Sequence, residues 1–381
     1  MADKIFVTRS FLPPLEEYTE EIRPIFESRW LTNMGEKHRA LEQALKEFLG
    51  VDQICLFQNG HLALELAIEA MGLHGEIITT PFTFVSTTWA ILRAGCIPVF
   101  CDVDPVTGTM DPEKIEPLIT ERTSAILPVH VYGHLCDVDA IGEIAKRHGL
   151  KVLYDAAHAF GVTRDGVSAA AYGDLAMFSF HATKVFHTIE GGAVCFRDPE
   201  LADRLFRIKN FGIEENETYC VGGNAKMNEF EAAMGLCNLR HLEEQIAMRG
   251  RVFRRYVENL SGTPGLALPA EQENVKSNYA YFPVRFSAEK YGETRDEAAA
   301  RLNAENIFPR KYFYPLTNAF PFEREIASQP GVPANPELSA ARFDPSATPE
   351  AARFSEEVLT LPMYGDLPME EVDRICRVLR K

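Results

Sequence analysis

The stretch Lys151-Val152-Leu153-Tyr154-Asp155-Ala156-Ala157-His158 contains an apolar strand that ends at an acidic residue. Similar apolar runs precede it at 76–80, 97–100 and 125–129, and a further one follows at 192–196. Nearly continuous apolar strands that alternate with helices are typical of a parallel sheet covered by helices on both faces. Ligands of such sheets bind at the carboxyl ends of the strands, so Asp155 is expected to belong to a site.

Helices are predicted between and after these strands, at 85–93, 137–148, 199–209, 230–256 and 294–303. Residues 212–223 are rich in glycine and acidic residues and are expected to form a mobile loop. After Pro264 the regular alternation stops; 278–286 is predicted to be an edge strand, and a last helix is predicted to end at Lys381. The predicted fold class is α/β, with a large, mostly parallel sheet domain and a smaller α+β domain.

Three regions are predicted along the chain: an N-terminal segment at 1–50, a large α/β domain at 51–245 and a small C-terminal α+β domain at 246–381. Apolar residues at helical spacing mark the end of the N-terminal segment, at Leu41, Ala44, Leu45 and Leu49. This segment is expected to pack with the C-terminal unit.

The composition excludes several classes of protein. The chain has 381 residues, 46% of them hydrophobic, which is enough to bury a large core. Its formal net charge of −16 argues against a general grip on nucleic acid or on an anionic membrane. There is no apolar run long enough to span a bilayer and no signal-peptide stretch at the start. The 8 cysteines are scattered without metal-binding spacing, so we expect no metal site and a cytoplasmic protein with reduced thiols.

A lysine in a small, polar setting is the main candidate for chemistry. Ser179-Phe180-His181-Ala182-Thr183-Lys184 is followed shortly by Glu190-Gly191-Gly192. A lysine that forms a Schiff base with pyridoxal phosphate needs an aspartate for the pyridine nitrogen and donors for the phosphate. Asp155 suits the first need. Each residue also has an ordinary alternative, since lone lysines after strands are usually on the surface and aspartates there often cap turns.

Gln58-Asn59-Gly60-His61 precedes an alanine-rich helix and is the candidate for the phosphate. The first N–H groups of a helix have no partner within the helix, and a glycine lets a ligand approach them closely. An ordinary turn between strand and helix is the alternative. Phe84, in Pro81-Phe82-Thr83-Phe84, is a candidate for stacking on a planar ring, although an aromatic side chain there is more often in the core.

Eight segments resemble, in the right order, those of the DegT/DnrJ/EryC1/StrS sugar aminotransferases, at 30–35, 59–61, 80–87, 98–104, 128–133, 155–161, 179–184 and 223–229. The resemblance implies the aspartate-aminotransferase-like fold, fold type I, and pyridoxal 5'-phosphate as cofactor. It implies that Lys184 is the Schiff-base lysine and the acid and base of the proton shift, and that Asp155 is the partner of the pyridinium nitrogen.

Further roles follow from the same resemblance. Phe84 stands where the family places an aromatic residue against the cofactor ring, and His158 where it has Gln or His near the ring hydroxyl. The backbone at Gly60 and His61, with Ser179, is expected to hold the phosphate. Asn224 resembles an asparagine that reaches the phosphate from the partner subunit, which implies a homodimer. Family members usually have Ser-Gly-Thr at 59–61, so a side-chain hydroxyl contribution at 61 is lost here.

The resemblance also implies the substrates, L-glutamate and a nucleotide-linked keto sugar. The stretches 183–192 and 224–227 are most similar to those of enzymes that act on dTDP-linked 6-deoxy keto sugars. Among these we favour amination at C4, giving dTDP-4-amino-4,6-dideoxyglucose, over amination at C3. Arg310, Tyr312 and Tyr314, with Lys311, are the candidates for binding the sugar nucleotide; a solvated loop is the alternative.

Two other classes of function are considered. One is a different pyridoxal phosphate enzyme of this fold, a lyase or an amino-acid aminotransferase, for which Arg342 or Arg353 would bind the substrate carboxylate. The other is a binding or regulatory protein that has kept the cofactor. Lys184 argues against the latter and against the family's dehydratases, in which histidine replaces the lysine.

Overall fold

The computed structural model describes residues 3–320 and 342–380. Its strands are β1 (Ile5–Phe6), β2 (Ile54–Phe57), β3 (Glu76–Thr79), β4 (Ile97–Phe100), β5 (Thr123–Leu127), β6 (Lys151–Asp155), β7 (Thr163–Arg164), β8 (Val167–Ser168), β9 (Leu175–Ser179), β10 (Gly192–Phe196), β11 (Ile213–Glu214), β12 (Glu217–Thr218), β13 (Leu266–Ala267), β14 (Val275–Lys276), β15 (Phe282–Phe286), β16 (Ile307–Phe308) and β17 (Val358–Leu361). Its α-helices are α1 (Leu15–Ser28), α2 (Glu36–Leu49), α3 (Gly60–Ala70), α4 (Val85–Arg93), α5 (Val138–His148), α6 (Leu201–Lys209), α7 (Glu229–Leu260), α8 (Ala288–Tyr291), α9 (Arg295–Ala304), α10 (Pro349–Glu357) and α11 (Met369–Arg380).

The large sheet has the order β2-β10-β9-β6-β5-β3-β4. Its strands from β9 to β4 are parallel, whereas β10 is antiparallel to both of its neighbours. This confirms the predicted mostly parallel sheet. Every residue of β2, β3 and β10 is buried, as expected for strands with helices on both faces.

Alternate side chains of each strand enter two different cores. Leu56 of β2 and Ile78 of β3 pack on one face with residues of α2, α5 and α7. Phe57 and Ile77, their neighbours in sequence, pack on the other face with residues of α3, α4 and α6. The amphipathic stretches between the strands therefore form the two helical layers, as predicted.

The C-terminal part has a separate core and its own sheet, in the order β13-β15-β17. The predicted edge strand at 278–286 is wrong in two respects: β15 starts at Phe282, and it lies between β13 and β17. Its position is set by antiparallel pairing on both sides, which local sequence does not reveal. Residues 212–223, predicted to be a loop, include the hairpin of β11 and β12. The predicted helix end at Lys381 lies outside the described residues; α11 is described to Arg380.

The N-terminal segment contacts both units. β1 pairs in parallel with β16 of the C-terminal part, while α2 adds Leu41, Leu45 and Leu49 to the core of the large sheet. The long helix α7 also contributes to both cores. The boundaries at 51–245 and 246–381 stay a prediction.

Polar contacts join the large sheet to the C-terminal part. The carboxylate of Asp102, just after β4, accepts the backbone N–H groups of Glu350 at 3.0 Å and Ala351 at 2.8 Å, in the first turn of α10. The buried carboxylate of Glu76 pairs with Arg122 and Arg342. The Asp102 contacts lie at the carboxyl end of β4, whereas the pair of Glu76 with Arg342 lies at the start of β3, so the C-terminal part contacts both edges of the sheet.

Among the helices of residues 3–320 and 342–380, none combines the length and the apolar character needed to cross a bilayer. The 8 cysteines are free thiols, and all are buried except Cys220, which is exposed.

Candidate active site

Asp155 lies at the carboxyl end of β6 and is buried. Its Oδ2 accepts the hydroxyl of Thr87, in α4, at 2.7 Å, and its Oδ1 accepts the N–H of Ala157 at 3.1 Å. The bond with Ala157 is expected if Asp155 only caps the turn after its strand. The bond with Thr87 comes from a different element, α4. Burial raises the pKa of Asp155, while these hydrogen bonds and the nearby Lys184 oppose that rise. A buried carboxylate of this kind favours a cationic partner.

His158 is held beside Asp155 in one protonation form. Its Nδ1 accepts the backbone N–H of Tyr132 at 3.0 Å. Burial holds the pKa of His158 well below its usual value, so the ring is neutral and its proton is on Nε2. The ring lies parallel to that of Phe313, with centroids 5.8 Å apart, and packs against Tyr281. His158 therefore presents an N–H donor at a fixed orientation.

Lys184 lies in the turn that follows β9 and is half-buried. Its backbone N–H donates to the carbonyl of His181 at 2.9 Å, which fixes the turn. Burial lowers the pKa of Lys184 to about 8, although Asp155 and Tyr312 act in the opposite direction. An amine with this pKa loses its proton close to neutral pH, as a nucleophilic or proton-transferring lysine must. The surface-lysine alternative does not account for this environment.

The start of α3 packs closely on the end of β9. Asn59 caps the helix by accepting the N–H of Leu62 at 2.9 Å. A Cβ atom on Gly60 would lie 2.8 Å from the Cβ of Ser179, so only glycine fits there without a shift. Ser179 and the first N–H groups of the helix are thus brought together at one point, which is the arrangement that binds phosphate in other proteins.

The side chain of His61 is turned toward other helical residues. Its Nδ1 lies 2.9 Å from Oγ of Ser86, in α4, and its Nε2 lies 3.5 Å from Oε2 of Glu65. Burial lowers the pKa of His61. The backbone at position 61 remains part of the helix N-terminus, while the imidazole links α3 to α4.

Phe84 immediately precedes α4, and 58% of its surface is exposed. The core alternative for this residue is therefore wrong. The nearest aromatic ring described is that of Phe313, with centroids 6.4 Å apart. A large apolar side chain left uncovered beside the site is available to a planar ligand.

The four candidates for the sugar nucleotide do not share one position. Tyr312 is close enough to Lys184 for each to affect the pKa of the other, and its carbonyl accepts the hydroxyl of Tyr132. Tyr314 instead lies under the guanidinium of Arg295, 5.1 Å away, and Lys311 pairs with Asp296 at 2.8 Å. These two residues contact α9.

Arg310 and Asn224 are both exposed. The backbone of Arg310 pairs with Thr360, and its guanidinium acts on the pKa of Tyr312. Asn224 forms a bridge with Asn210, and the next carbonyl, of Ala225, accepts the N–H of Gln58 just before α3. The expected contact of Asn224 with a partner subunit stays a prediction.

Several residues of the site were not singled out from the sequence. Thr87 and Tyr132 lie within segments that carried the resemblance, but no role was assigned to them. Thr83 precedes α4 and Thr87 lies inside it, so no helical spacing in the sequence pointed to Thr87. Phe313 and Tyr281 come from the C-terminal part, and nothing local in the sequence points to their contact with His158.

The residues present fit pyridoxal phosphate. A buried carboxylate, a neutral imidazole donor, a lysine of lowered pKa and an uncovered aromatic ring surround the end of the sheet. The close packing of Gly60 on Ser179 leaves helix N–H groups for a phosphate. In the described part of the chain there is no group of three or more His, Cys, Asp or Glu side chains that would hold a metal ion.

Comparison with known proteins gave one family and close relatives. The profile of the DegT/DnrJ/EryC1/StrS aminotransferase family matches residues 15–380. The dTDP-4-amino-4,6-dideoxy-D-glucose transaminase of Shigella dysenteriae is 40% identical over 382 residues, which cover 100% of both chains. The enzyme of the same name from Escherichia coli is 41% identical over 384 residues, 100% of this chain and 99% of that one.

The fold also matches solved structures. The crystal structure of DesI in the presence of its TDP-sugar product has a TM-score of 0.89 and 33% identity. The match covers 100% of this chain and 93% of the other.

Proposed function

Because the chain belongs to the DegT/DnrJ/EryC1/StrS aminotransferase family, we propose that it transfers the amino group of L-glutamate to dTDP-4-keto-6-deoxy-D-glucose. The product is dTDP-4-amino-4,6-dideoxy-D-glucose. The observation that carries this proposal is the full-length similarity to two transaminases of that name, at 40% and 41% identity. The chain is a pyridoxal phosphate-dependent aminotransferase, as members of this family are.

Bound pyridoxal phosphate supplies an electron sink and a carrier for the amino group. Lys184 would hold the cofactor covalently through Nζ. Once its amine is free, Lys184 is the group that takes a proton from the substrate carbon and returns it elsewhere. Its pKa of about 8 allows both directions of transfer near neutral pH.

Asp155 would hold the pyridine nitrogen in its protonated form by pairing with it. Its burial is the reason that this pairing is strong, because a carboxylate in low dielectric gains much from a cationic partner. His158 would donate from Nε2 to the ring hydroxyl. Phe84 would cover one face of the ring, and Gly60, His61 and Ser179 would bind the phosphate.

Tyr312 and Arg310 are the proposed contacts of the sugar nucleotide. Tyr312 is close enough to Lys184 to affect its pKa, and Arg310 is close enough to Tyr312 to affect the pKa of that tyrosine. Tyr314 and Lys311 contact α9 and stay candidates for the same role. The large domain at 51–245 would supply most cofactor contacts, and the small domain at 246–381 would cover the substrate.

We further propose a homodimer, in which Asn224 reaches the phosphate bound by the partner subunit. Its exposed position beside the strand that leads to Gly60 supports this role. The cytoplasm is the proposed compartment, supported by the 8 free cysteines.

The test is to supply isotope-labelled L-glutamate with dTDP-4-keto-6-deoxyglucose or with a dTDP-3-keto-6-deoxyhexose, and to locate the labelled amine by NMR. We expect the label at C4 and turnover with the first sugar only. A label at C3 would establish the C3 alternative. Turnover of neither sugar, with normal turnover of glutamate, would contradict the proposed substrate. A Lys184→Ala control should give no product from either.

A further inference from the structure

The carboxylate of Asp155 lies at the end of a buried chain of hydroxyl groups. Oγ1 of Thr83 is 2.8 Å from Oγ1 of Thr87, which is 2.7 Å from Oδ2 of Asp155. All three side chains are buried. A buried polar chain of this kind is held in one arrangement because each member would lose a hydrogen bond if it turned away.

The direction of the chain follows from the chemistry of its end. An ionised carboxylate only accepts hydrogen bonds, so Thr87 must donate its proton to Asp155. The oxygen of Thr87 is then left as an acceptor, and Thr83 must donate to it. Both hydroxyls therefore point toward Asp155, and the arrangement favours the ionised carboxylate over the protonated acid.

We propose that Thr87, supported by Thr83, is a positioning residue that keeps Asp155 ionised and oriented for the pyridinium nitrogen. This inference rests on the proposed function, because it assigns that role to Asp155. The backbone N–H of Ala157 holds the other oxygen at 3.1 Å, so the two donors together fix the plane of the carboxylate.

Other ionisable groups also act on Asp155. Lys184, in the turn after β9, favours the ionised form of the carboxylate, and the buried thiol of Cys136 interacts with it from the segment before α5. His158 is neutral and three residues away. Among these groups only Lys184 shares with Thr87 the effect of favouring ionisation, and the test below leaves Lys184 unchanged.

The chain offers a matched control in Thr88. It is the next residue of α4, it is equally buried, and its hydroxyl donates to Thr317 at 2.9 Å instead of to Asp155. Thr88→Val therefore removes a hydroxyl group from the same helix and leaves the hydrogen bonds from Thr83 through Thr87 to Asp155 unchanged. Thr87→Ser keeps the donor and removes a methyl group.

The experiment measures binding of pyridoxamine phosphate to the apoprotein by tryptophan fluorescence, as a function of pH. This probe has the ring and the phosphate but does not attach to Lys184. We expect Thr87→Val to weaken binding about tenfold, the effect of one hydrogen bond to a charged group, and to move the acid limit of binding to higher pH. Thr83→Val should shift binding in the same direction by less, while Thr87→Ser and Thr88→Val should bind as the wild type does.

Four results would overturn the inference. Wild-type affinity and pH limit in Thr87→Val would overturn the inference, and so would an equal loss in Thr88→Val, which would indicate packing. If Thr87→Val does not fold, Thr83→Val must show the shift or the inference fails. Asp155→Asn separates this inference from the proposed function: if it binds the probe normally, Asp155 is not the ring partner, whatever the enzyme's substrates are.

Discussion

At the scale of single residues, the charged groups of the site lower the stability of the fold. Burial moves the pKa of Lys184 down and that of Asp155 up, in each case toward the uncharged form. Their chemistry requires that both can be charged. The fold thus tolerates two poorly solvated charges near one another, each of which lowers the cost of the other.

We predict that Lys184→Met stabilises the apoprotein at pH 7. The pKa of this lysine is about 8 in the fold against an ordinary value of 10.5, so the folded state is penalised while the amine is charged. The penalty is complete below about 8 and disappears as pH rises toward 10.5. Urea unfolding should show an advantage of at least about 1 kcal/mol for the variant at neutral pH. An advantage that grows with pH would contradict the account.

His158 gives a second prediction at this scale. Its Nε2–H is the proposed donor to the cofactor, and a glutamine side chain also carries an N–H donor. We expect His158→Gln to keep its rate within about tenfold of the wild type and His158→Ala to lose about a hundredfold in kcat. Steady-state kinetics with the sugar substrate compares the two. Equal rates for both variants would remove the donor role.

The sequence singled out candidate residues near the ends of strands, but not the residues that contact them. Asp155 and Gly60 stand where apolar strands stop, at the end of β6 and at the start of α3, and Lys184 was singled out by its small, polar neighbours; the roles of all three stay predictions. The contact of Thr87 with Asp155, and of Phe313 with His158, joins residues far apart in the chain. Such contacts depend on how helices and the C-terminal part pack on the sheet, which local patterns do not contain.

At the scale of elements, α10 depends on a residue from the large sheet. The carboxylate of Asp102 accepts two N–H groups in the first turn of α10. Thr348, the residue just before this helix, does not cap it with its side chain. We predict that Asp102→Ala lowers the free energy of unfolding by about 1–2 kcal/mol, the usual cost of losing a helix cap.

Asp111→Ala is the control for this prediction. Asp111 accepts the N–H of Glu113 within its own exposed turn, so it caps a short helix without joining two parts of the molecule. Urea unfolding should show a smaller loss for Asp111→Ala. Equal losses would mean that Asp102 does not hold α10 on the sheet.

Strands and helices were predicted correctly where burial gives the sequence a regular pattern of apolar residues. The prediction failed where the position of a strand depends on its pairing with distant strands. The strands of the large sheet and the helices that cover it lie near their predicted bounds, because sheet and helices bury each other's apolar faces. The segment at 278–286 was predicted to be an edge strand, but β13 and β17 cover both sides of β15.

At the scale of the whole molecule, the proposed dimer is open to a mixing test. Lys184→Ala and Asn224→Ala should each be inactive or severely impaired alone. If Asn224 acts across the interface, a dimer with one of each variant holds one intact site. Random reassortment should then restore about one quarter of the wild-type activity. No recovery after mixing, with mixed dimers present, would place Asn224 in its own subunit's site or in none.

The central claim is that Lys184 holds pyridoxal phosphate and moves the proton while the cofactor carries an amino group from glutamate to a keto sugar. The most direct test is the visible spectrum of the protein with pyridoxal phosphate, recorded before and after L-glutamate and then after dTDP-4-keto-6-deoxyglucose. The account predicts that the band of the lysine-bound cofactor is lost with glutamate and returns with the sugar. No band with the cofactor, or a band that glutamate leaves unchanged, would contradict it.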